Sequence, residues 1–386
     1  MEDKIFGRTS QFFADHHASL TAREIQQQPR LWRELAANLI SQEKEIEPFM
    51  QKMHSIPNLR VVFTGAGSSA FIGEALAMMF QHDHGFQYDA VATTDIVSAP
   101  DSVLWDVPTL LISFSRSGES PESMAAMQYA ATRVKQLYNL VVVCKKDSSL
   151  AAQADDSALV LNMPAESSDE GFAMTSSVSC MALATWCVLN WDKREECLAF
   201  MDSLADGLWK QLDNLDEAAQ QAATFEYRRL VLLGSGSLKG LAREGAIKSM
   251  ELTNGKVNAQ FESSMGFRHG PKTVITQHTL TVHMIAPTAL TARYDLDVVE
   301  ELIREKHDNR VLVLAPEGML LPPGADYVVR YSAPKGFEQM SSYISCLLFL
   351  QMLAMEKSIL CGLPTDNPSV GGEVNRVVKG VTIYQL

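Results

Sequence analysis

The sequence predicts an α/β protein built from two doubly wound domains, each a flavodoxin-like parallel sheet between two layers of helices. Strand-like apolar runs alternate with helix-like segments along most of the 386 residues, which is typical of parallel sheets joined by helical crossovers. A strand that enters a Gly-x-Gly-Ser loop occurs twice, ending at Ser68 and at Ser237. Apolar residues make up 46% of the chain, so it can bury two cores.

Residues 1–50 are predicted to form an N-terminal helical segment. Thr21 and Glu24 have the spacing of a capping box, and Leu31, Leu35 and Leu39 recur at helical spacing. We therefore expect amphipathic helices ahead of the first sheet.

The first α/β domain is predicted at residues 51–205. Its first strand starts near Leu59 and enters Gly65-Ala-Gly67-Ser68-Ser69, after which a helix continues through Phe80. The later elements alternate in the same way. Predicted strands are Thr109–Phe114, Leu140–Cys144 and Ala158–Leu161, and predicted helices are Ser120–Tyr138, Ser148–Ala154 and Thr175–Trp191.

A charged helical connector at residues 192–224 leads to the second α/β domain, predicted at residues 215–386. The strand from Arg229 and the loop Gly234-Ser-Gly236-Ser237 repeat the earlier design, which indicates an internal duplication. Further strands are predicted at Leu280–Ile285 and Arg310–Leu314, helices at Leu296–Lys306 and Phe337–Met355, and an extended tail over the last twenty residues.

The charge of the chain excludes two classes of partner. The formal net charge is −13 at pH 7, so the long-range field repels nucleic acid and acidic membranes. A small anionic substrate remains compatible, because local amides and hydroxyls can outweigh distant charge.

The N-terminus lacks a signal-peptide pattern, and six cysteines lie in apolar contexts without a CxxC pair. We expect a cytoplasmic protein with reduced thiols.

The loop from Ser113 to Glu122 has the chemistry of a phosphate-binding site. Alternating serines, Gly118 and a predicted helix start at Ser120-Pro121 can direct hydroxyls and backbone N–H groups at an anion. The alternative is a capped helix behind a polar surface loop. The Gly65-Ala-Gly67 loop favours the site, because both loops follow parallel strands. It could instead bind a dinucleotide, but that motif needs a third glycine where this chain has Ala70.

The helix after Gly240 places three charged residues on one face. Glu244, Lys248 and Glu251 stand at positions i, i+4 and i+7. A surface salt-bridge ladder is the simple interpretation of this spacing. If the face lines a pocket, Glu251 is suited to carry a proton between two carbons, and Lys248 to stabilise or relay charge.

His269 lies in a turn bounded by glycine and proline, where an imidazole is well placed to donate a proton to a sugar ring oxygen. The other histidine pairs, His16-His17 and His82-Asp-His84, lack further ligands that would complete a metal site. We expect no metal.

Taken together, these segments resemble the SIS (sugar isomerase) domain family, including the isomerase half of glucosamine-6-phosphate synthase. The resemblance covers about residues 45–386 in the expected order. Residues 375–381, Asn-Arg-Val-Val-Lys-Gly-Val, further resemble the tagatose-6-phosphate ketose/aldose isomerase group, also described as galactosamine-6-phosphate deaminases. The matching segments are Gly67–Ser69, Ser115–Ser120, Glu244–Glu251, Arg268–Pro271 and the tail around Lys379.

The resemblance implies a role for each matching residue. The phosphate would be held by Ser69, Ser115, Arg116, Ser117 and Ser120, with Arg116 standing where the family usually has glutamine. Glu251 would carry the C1/C2 proton, His269 would open the ring, and Lys248 would handle the hydroxyl proton or its charge. Lys379 would form a Schiff base or orient the open chain.

The same resemblance implies a homodimer or a higher homo-oligomer in which each His269 loop completes the partner's site, with neither metal nor redox cofactor. For a 2-amino sugar the product would be a ketose and ammonia, and for a 2-hydroxy sugar plain aldose/ketose isomerisation. The sequence leaves this choice open. A non-catalytic sugar-phosphate sensor is the third interpretation, because the fold also serves in regulators.

Overall fold

Two five-stranded parallel sheets organise the chain. The structure, a computed structural model, describes residues 4–81, 85–155, 157–305, 308–372, 374–378 and 380–386. The strands within these residues are β1 Lys4–Ile5, β2 Arg8–Thr9, β3 Arg60–Thr64, β4 Gln87–Ala90, β5 Thr109–Ser115, β6 Leu137–Val143, β7 Leu159–Asn162, β8 Arg229–Gly234, β9 Asn258–Glu262, β10 Thr279–Met284, β11 Arg310–Pro316 and β12 Tyr327–Tyr331.

Helices occupy most of the remaining described chain. They are α1 Ser10–Asp15, α2 Ser19–Gln26, α3 Gln28–Ser41, α4 Glu43–His54, α5 Ser68–Phe80, α6 Thr93–Ser98, α7 Pro100–Val103, α8 Pro121–Arg133, α9 Ser149–Gln153, α10 Ser176–Leu189, α11 Arg194–Trp209, α12 Leu212–Ala223, α13 Ser237–Leu252, α14 Ser264–Phe267, α15 Ala289–Arg304 and α16 Glu338–Leu360. Short 3₁₀ segments lie at Ala165–Ser167, Trp191–Lys193 and Pro271–Val274.

The chain divides into two bodies that are discontinuous in sequence. The first body contains residues 27–170, 174–205 and 374–386. The second contains residues 1–26, 171–173 and 206–373. The predicted domain boundaries at residues 50, 205 and 215 remain a prediction.

Both sheets have the same strand order, which confirms the predicted doubly wound fold. In the first body the order is β4-β3-β5-β6-β7, and in the second it is β9-β8-β10-β11-β12. All neighbours are parallel; Phe63 of β3, for example, aligns with Ala90 and with Ile112. Counted within each body, both orders are 2-1-3-4-5, the flavodoxin-like arrangement. The internal repeat in the sequence is therefore a repeat of topology.

Helices cover both faces of the first sheet. On one face, Val62 and Leu111 pack with Ile96 of α6 and with Ala125 and Ala126 of α8. On the other face lie α5 and α10, and Gly73 of α5 sits so close to Phe63 that a Cβ would come within 2.7 Å of its Cβ atom. Strands buried on both faces explain why their sequences are continuous apolar runs.

The second sheet is covered in the same manner. Val231 and Val313 pack against Phe267 of α14 and Val299 of α15 on one face, whereas α13 and α16 pack together on the other. By length and composition α16 could cross a membrane, but 94% of its most apolar window is buried inside the protein. It is therefore a core helix, and it contains the helix predicted at residues 337–355 except for Phe337.

Two glycines set the strand-to-helix turn in each body. Gly67 and Gly236 have φ values of +56° and +62°, in the left-handed region that favours glycine. A Cβ on Gly65 would come within 2.6 Å of Ser69, and one on Gly234 would meet the backbone of Leu238. The first glycine of each pair leaves room for the helix because it has no Cβ. The second glycine adopts the left-handed conformation through which the chain enters the helix.

The described structure corrects several details of the sequence analysis. The capping-box prediction is wrong, because α2 begins at Ser19 and its Leu20 and Thr21 N–H groups donate to the Asp366 carboxylate. Four helices, α1 to α4, precede β3, and α8 ends at Arg133 rather than at 138. Strands β4, β9 and β12 were not predicted. Strands β4 and β9 are short and mostly polar, so their apolar signal is weak.

The cysteines of the described residues are not joined in disulfides. All six are free, and five of them are buried. Burial raises the pKa of the Cys144 thiol to about 12, so it stays protonated and is not a ready nucleophile.

Arg8 lies between two buried carboxylates in the second body. Its Nη2 is 2.6 Å from Asp216 Oδ2 and 2.6 Å from Glu356 Oε1, and the rings of Phe12 and Phe13 flank the guanidinium. Burial, and then repulsion from Glu356, raise the pKa of Asp216 to about 7. One guanidinium thus ties the N-terminal hairpin to α12 and α16.

Asp216→Asn is expected to remove part of the pH dependence of stability. The folded state holds the Asp216 proton more tightly than the unfolded chain does, so its contribution falls as pH rises from about 4 to about 7. The loss is at most about 4 kcal/mol over this range. Urea unfolding of wild type and variant at several pH values measures it, with the exposed Glu217→Gln on the same helix as control. A wild-type-minus-variant difference that is constant with pH would contradict the assignment.

Candidate active site

The five predicted phosphate-binding residues surround one cavity in the first body. Strand order reverses between β3 and β5, and ligands of open α/β sheets bind at such a reversal, outside the carboxyl ends of the strands. The cavity has a volume of about 110 Å³. One water needs roughly 10–15 Å³ on this scale, so there is room for a small anion. The predicted residues that line it are Ser69, Ser115, Arg116, Ser117 and Ser120.

Hydrogen bonds within the loop fix the serine side chains. Ser115 Oγ accepts from the Gly118 N–H at 2.9 Å, and Ser117 Oγ accepts from the Glu119 N–H at 3.2 Å. Since both oxygens accept from backbone, their own hydrogens can be directed to a ligand. Ser120 is the N-cap of α8, as predicted, but its hydroxyl donates to Glu122 Oε2 at 2.6 Å rather than accepting from the helix.

Sequence reasoning missed further residues that line this cavity. Glu122 of α8 and Met174, in the segment before α10, were not assigned to the site and line it as well. The C-terminal tail contributes Arg376, Val377 and Val378. The resemblance draws attention to the tail through Lys379. Arg376, three residues earlier in the chain, is the signal that could have indicated a further residue at this cavity. Lys379 itself lies outside the described residues, as do His82 and His84.

Arg116 does more than line the cavity. It is buried, and its Nη2 donates to the backbone carbonyl of Arg376 at 2.8 Å. The loop and the tail are therefore joined by a direct hydrogen bond at the rim of the cavity.

The charged face of α13 is buried, which excludes the surface-ladder interpretation. Glu244 and Lys248 are each 1% exposed. Lys248 Nζ lies 2.6 Å from Glu251 Oε2 and 3.7 Å from Glu244 Oε1. The side chain of Glu251 retains 24% exposure, so this carboxylate is the member of the group that solvent or a ligand can reach.

Surrounding groups hold this ion-paired face in place. The helix ends as predicted, because Asn254 and Gly255 both have positive φ and the Gly255 N–H bonds the Met250 carbonyl. Tyr343 of α16 is buried near Glu244, and burial followed by the Glu244 charge raises the pKa of its hydroxyl. Removing charges from water is costly unless they are paired, and Lys248 lies close enough to both glutamates to compensate their charge.

His269 lies on an exposed turn of the second body, between α14 and the 3₁₀ segment Pro271–Val274. Ion pairs fix the turn on both sides. Arg268 Nε is 2.7 Å from Glu301 Oε2, and Lys272 bonds both Glu301 and Glu305. The hydrogen bond from Lys272 lowers the pKa of Glu301 against the opposing effect of partial burial. The imidazole is thus presented at the surface by a rigid loop.

The reversal point of the second sheet, between β8 and β10, is filled by a side chain. The Asp295 carboxylate accepts from Ser235 Oγ at 2.5 Å and from the Ala286 N–H at 2.9 Å. Asp295 is fully buried, and burial raises its pKa. The protein's own carboxylate therefore occupies the place that corresponds to the cavity of the first body.

Among the described residues, no group of three or more histidine, cysteine, aspartate or glutamate side chains is arranged to hold a metal ion.

Residues 56–190 match the SIS domain family model. The D-galactosamine-6-phosphate deaminase AgaS of Shewanella sp. is 36% identical to this chain, over 99% of the chain and 96% of that protein. A crystal structure of tagatose-6-phosphate ketose/aldose isomerase from Escherichia coli is 34% identical with a TM-score of 0.87, and covers 95% of this chain and 96% of that one. A solved structure from Clostridium novyi NT is 36% identical over 100% of both chains, with a TM-score of 0.95.

Asp295→Ala is expected to lower the free energy of unfolding by about 2–4 kcal/mol, because it leaves buried donors on Ser235 and Ala286 without their acceptor. The exposed Asp297→Ala on the same helix is the matched control, with an expected change within about 0.5 kcal/mol. Chemical denaturation at one pH measures both. Equal losses in the two variants would show that the buried carboxylate does not stabilise the second body.

Proposed function

The chain belongs to the SIS domain family, and from this premise we propose that it is a galactosamine-6-phosphate deaminase. The reaction converts galactosamine-6-phosphate and water to tagatose-6-phosphate and ammonia. The observation that carries the proposal is the 36% identity to the Shewanella deaminase over nearly the full length of both proteins. The serine-lined cavity and the buried ion-paired face of α13 support it.

The substrate phosphate would bind in the cavity of the first body. The hydroxyls of Ser69, Ser115 and Ser117 supply donors there, and the positive dipole ends of α5 and α8 begin beside them. The Ser120 hydroxyl would join them by releasing Glu122. Arg116 and Arg376 add positive charge at the rim. These local groups would hold a dianion in spite of the net charge of −13.

Proton transfer would follow ring opening. Glu251 removes the proton from C2 of the open-chain aldehyde while O1 takes up a proton, which gives an enaminol. Protonation of C1 then yields a C2 imine, water adds to C2, and ammonia leaves to give the ketose. C1 is reduced and C2 is oxidised within one molecule, so the scheme uses neither a metal nor a redox cofactor. The partial exposure of the Glu251 side chain supports its role as the base.

Lys248 would stabilise the charge that develops on O1. Its ammonium is buried beside two carboxylates, of which Glu251 is nearer. When Glu251 takes up the C2 proton, this ion pair weakens and the ammonium becomes available to the oxygen. Preorganised charge in a buried site costs little reorganisation during the reaction.

His269 would donate the proton that opens the ring, and Lys379 would orient the open chain. We propose that the protein is a homodimer and that the His269 loop acts in the partner's site. The exposure of His269 on an ion-paired turn supports this arrangement. Six free cysteines also support a reducing, cytoplasmic location.

Aldose/ketose isomerisation is the second candidate, favoured by the likeness to the Escherichia coli structure titled as a tagatose-6-phosphate ketose/aldose isomerase. The same proton transfer applies to a 2-hydroxy sugar, with no ammonia formed. A sensor without turnover is the third possibility.

Ammonia release from galactosamine-6-phosphate tests the proposal. The purified protein should release ammonia from this sugar, and Glu251→Gln should lower kcat by at least about 10³-fold, because an amide cannot accept the proton. Glu300→Gln, an exposed carboxylate on α15, should retain full activity. Conversion of tagatose-6-phosphate without ammonia from the amino sugar would establish the isomerase instead, and binding without turnover would establish the sensor.

Mixed dimers test the sharing of the site. Glu251→Gln and His269→Asn homodimers should each be nearly inactive, whereas a mixture refolded or co-expressed together should recover about a quarter of wild-type activity. The physical reason is that half of the chains form heterodimers, each with one intact site. A mixture as inactive as its parents would refute sharing between subunits.

A further inference from the structure

The C-terminal tail is fastened to the first body at the cavity. Residues 374–386 belong to this body, and Arg376, Val377 and Val378 line the same cavity as the phosphate-binding loop. Residues 374–378 and 380–386 have no regular helix or strand. Side-chain and backbone hydrogen bonds, rather than secondary structure, must therefore determine where the tail runs.

Arg116 makes the first of these bonds. It is 6% exposed, and its Nη2 donates to the Arg376 carbonyl at 2.8 Å. A guanidinium carries five N–H donors in a fixed plane. One of these donors holds the tail. A glutamine side chain is shorter and offers only two donors. Glutamine at position 116 would therefore not hold the tail as the arginine does.

Arg376 makes a second bond with its own side chain, to the carbonyl of Asp169. Asp169 is itself immobilised, because its carboxylate accepts from the Thr175, Ser176 and Ser177 N–H groups at the start of α10. The tail is thus joined to two rigid points, the phosphate loop and the cap of α10.

A third attachment follows farther along the tail. Ile383 packs against the cluster of Val62, Leu111 and Ala126, and the Tyr129 hydroxyl donates to the Tyr384 carbonyl. The attachments at 376 and at 383–384 lie on either side of Lys379 in the sequence. Anchors on both sides reduce the conformational entropy that is lost when a side chain between them is positioned for reaction.

From these contacts we infer that Arg116 is a positioning residue, which fixes the C-terminal tail to the phosphate-binding loop through the Arg376 carbonyl. The inference deepens the proposed function and rests on it, since it gives the tail a place in the same reaction. Arg116 acts through the tail, and its loss affects the chemical step more than the capture of the sugar phosphate.

Hydrogen–deuterium exchange of the ligand-free protein tests the attachment without relying on turnover. Arg116→Gln should raise the exchange of peptides covering residues 374–386 by about tenfold or more, because a charge-assisted hydrogen bond is lost. Exchange in β5 and β6 should stay at the wild-type level. Arg116→Lys keeps a donor and should restore much of the protection. The control is Lys146→Gln, which removes one exposed positive charge from the same body and should leave tail exchange unchanged.

Steady-state kinetics with galactosamine-6-phosphate give the second readout. For Arg116→Gln, kcat should fall by about tenfold or more, a larger change than the rise in KM that follows from the loss of a positive charge at the cavity. Wild-type tail exchange in Arg116→Gln would overturn the inference. A defect confined to KM would do so too, since it would make Arg116 a phosphate ligand only. If the wild type releases no ammonia, the proposed function fails, and the exchange data still decide whether Arg116 holds the tail.

Discussion

The close approach of the first helix to the first strand is the constraint on which the rest of each body depends. At Gly65 and Gly234 a Cβ would collide with the following helix, and at Gly67 and Gly236 the backbone adopts a left-handed conformation. This geometry places the helix start, which carries the positive end of the helix dipole, directly beyond the strand. Across the point where the strand order reverses, the neighbouring strand, β5 or β10, ends in a second loop at the same edge of the sheet. The topology by itself therefore places two loops suited to binding an anion side by side, whichever catalytic residues the chain carries.

The two bodies use this shared geometry differently. In the first, the donors surround a cavity lined by serines and arginines. In the second, the Asp295 carboxylate satisfies Ser235 and Ala286. Buried donors need an acceptor, and a carboxylate supplied by the chain meets this need permanently, whereas an open cavity leaves it to a ligand. The duplication thus yields one open binding cavity in the first body and an internally satisfied counterpart in the second, whose own charged residues are on α13.

The sequence predicted the helices and strands best where apolar residues follow one another in a regular pattern. Apolar runs such as those of β3, β5 and β8 are buried on both faces and were located within a few residues. Strands β4 and β9 are the second strand of each body and lie at the sheet edge, where polar residues such as Gln87 and Asn258 interrupt the pattern. The false capping box at Thr21 has a related cause, because the acceptor for the start of α2 is Asp366, which is 345 positions away in the sequence. Local patterns cannot reveal a distant partner.

By itself, the sequence determined the doubly wound fold, its duplication, the serine loop and the face formed by Glu244, Lys248 and Glu251, because spacing and backbone preference are local properties. Only the tertiary structure decided that this face is buried, that Asp295 fills the second reversal point, and that Arg116 holds the tail at Arg376. Burial and long-range hydrogen bonds depend on which segments meet in space. Arg116 and Arg376 are 260 residues apart in the chain and 2.8 Å apart between donor and acceptor, a proximity that no periodicity encodes.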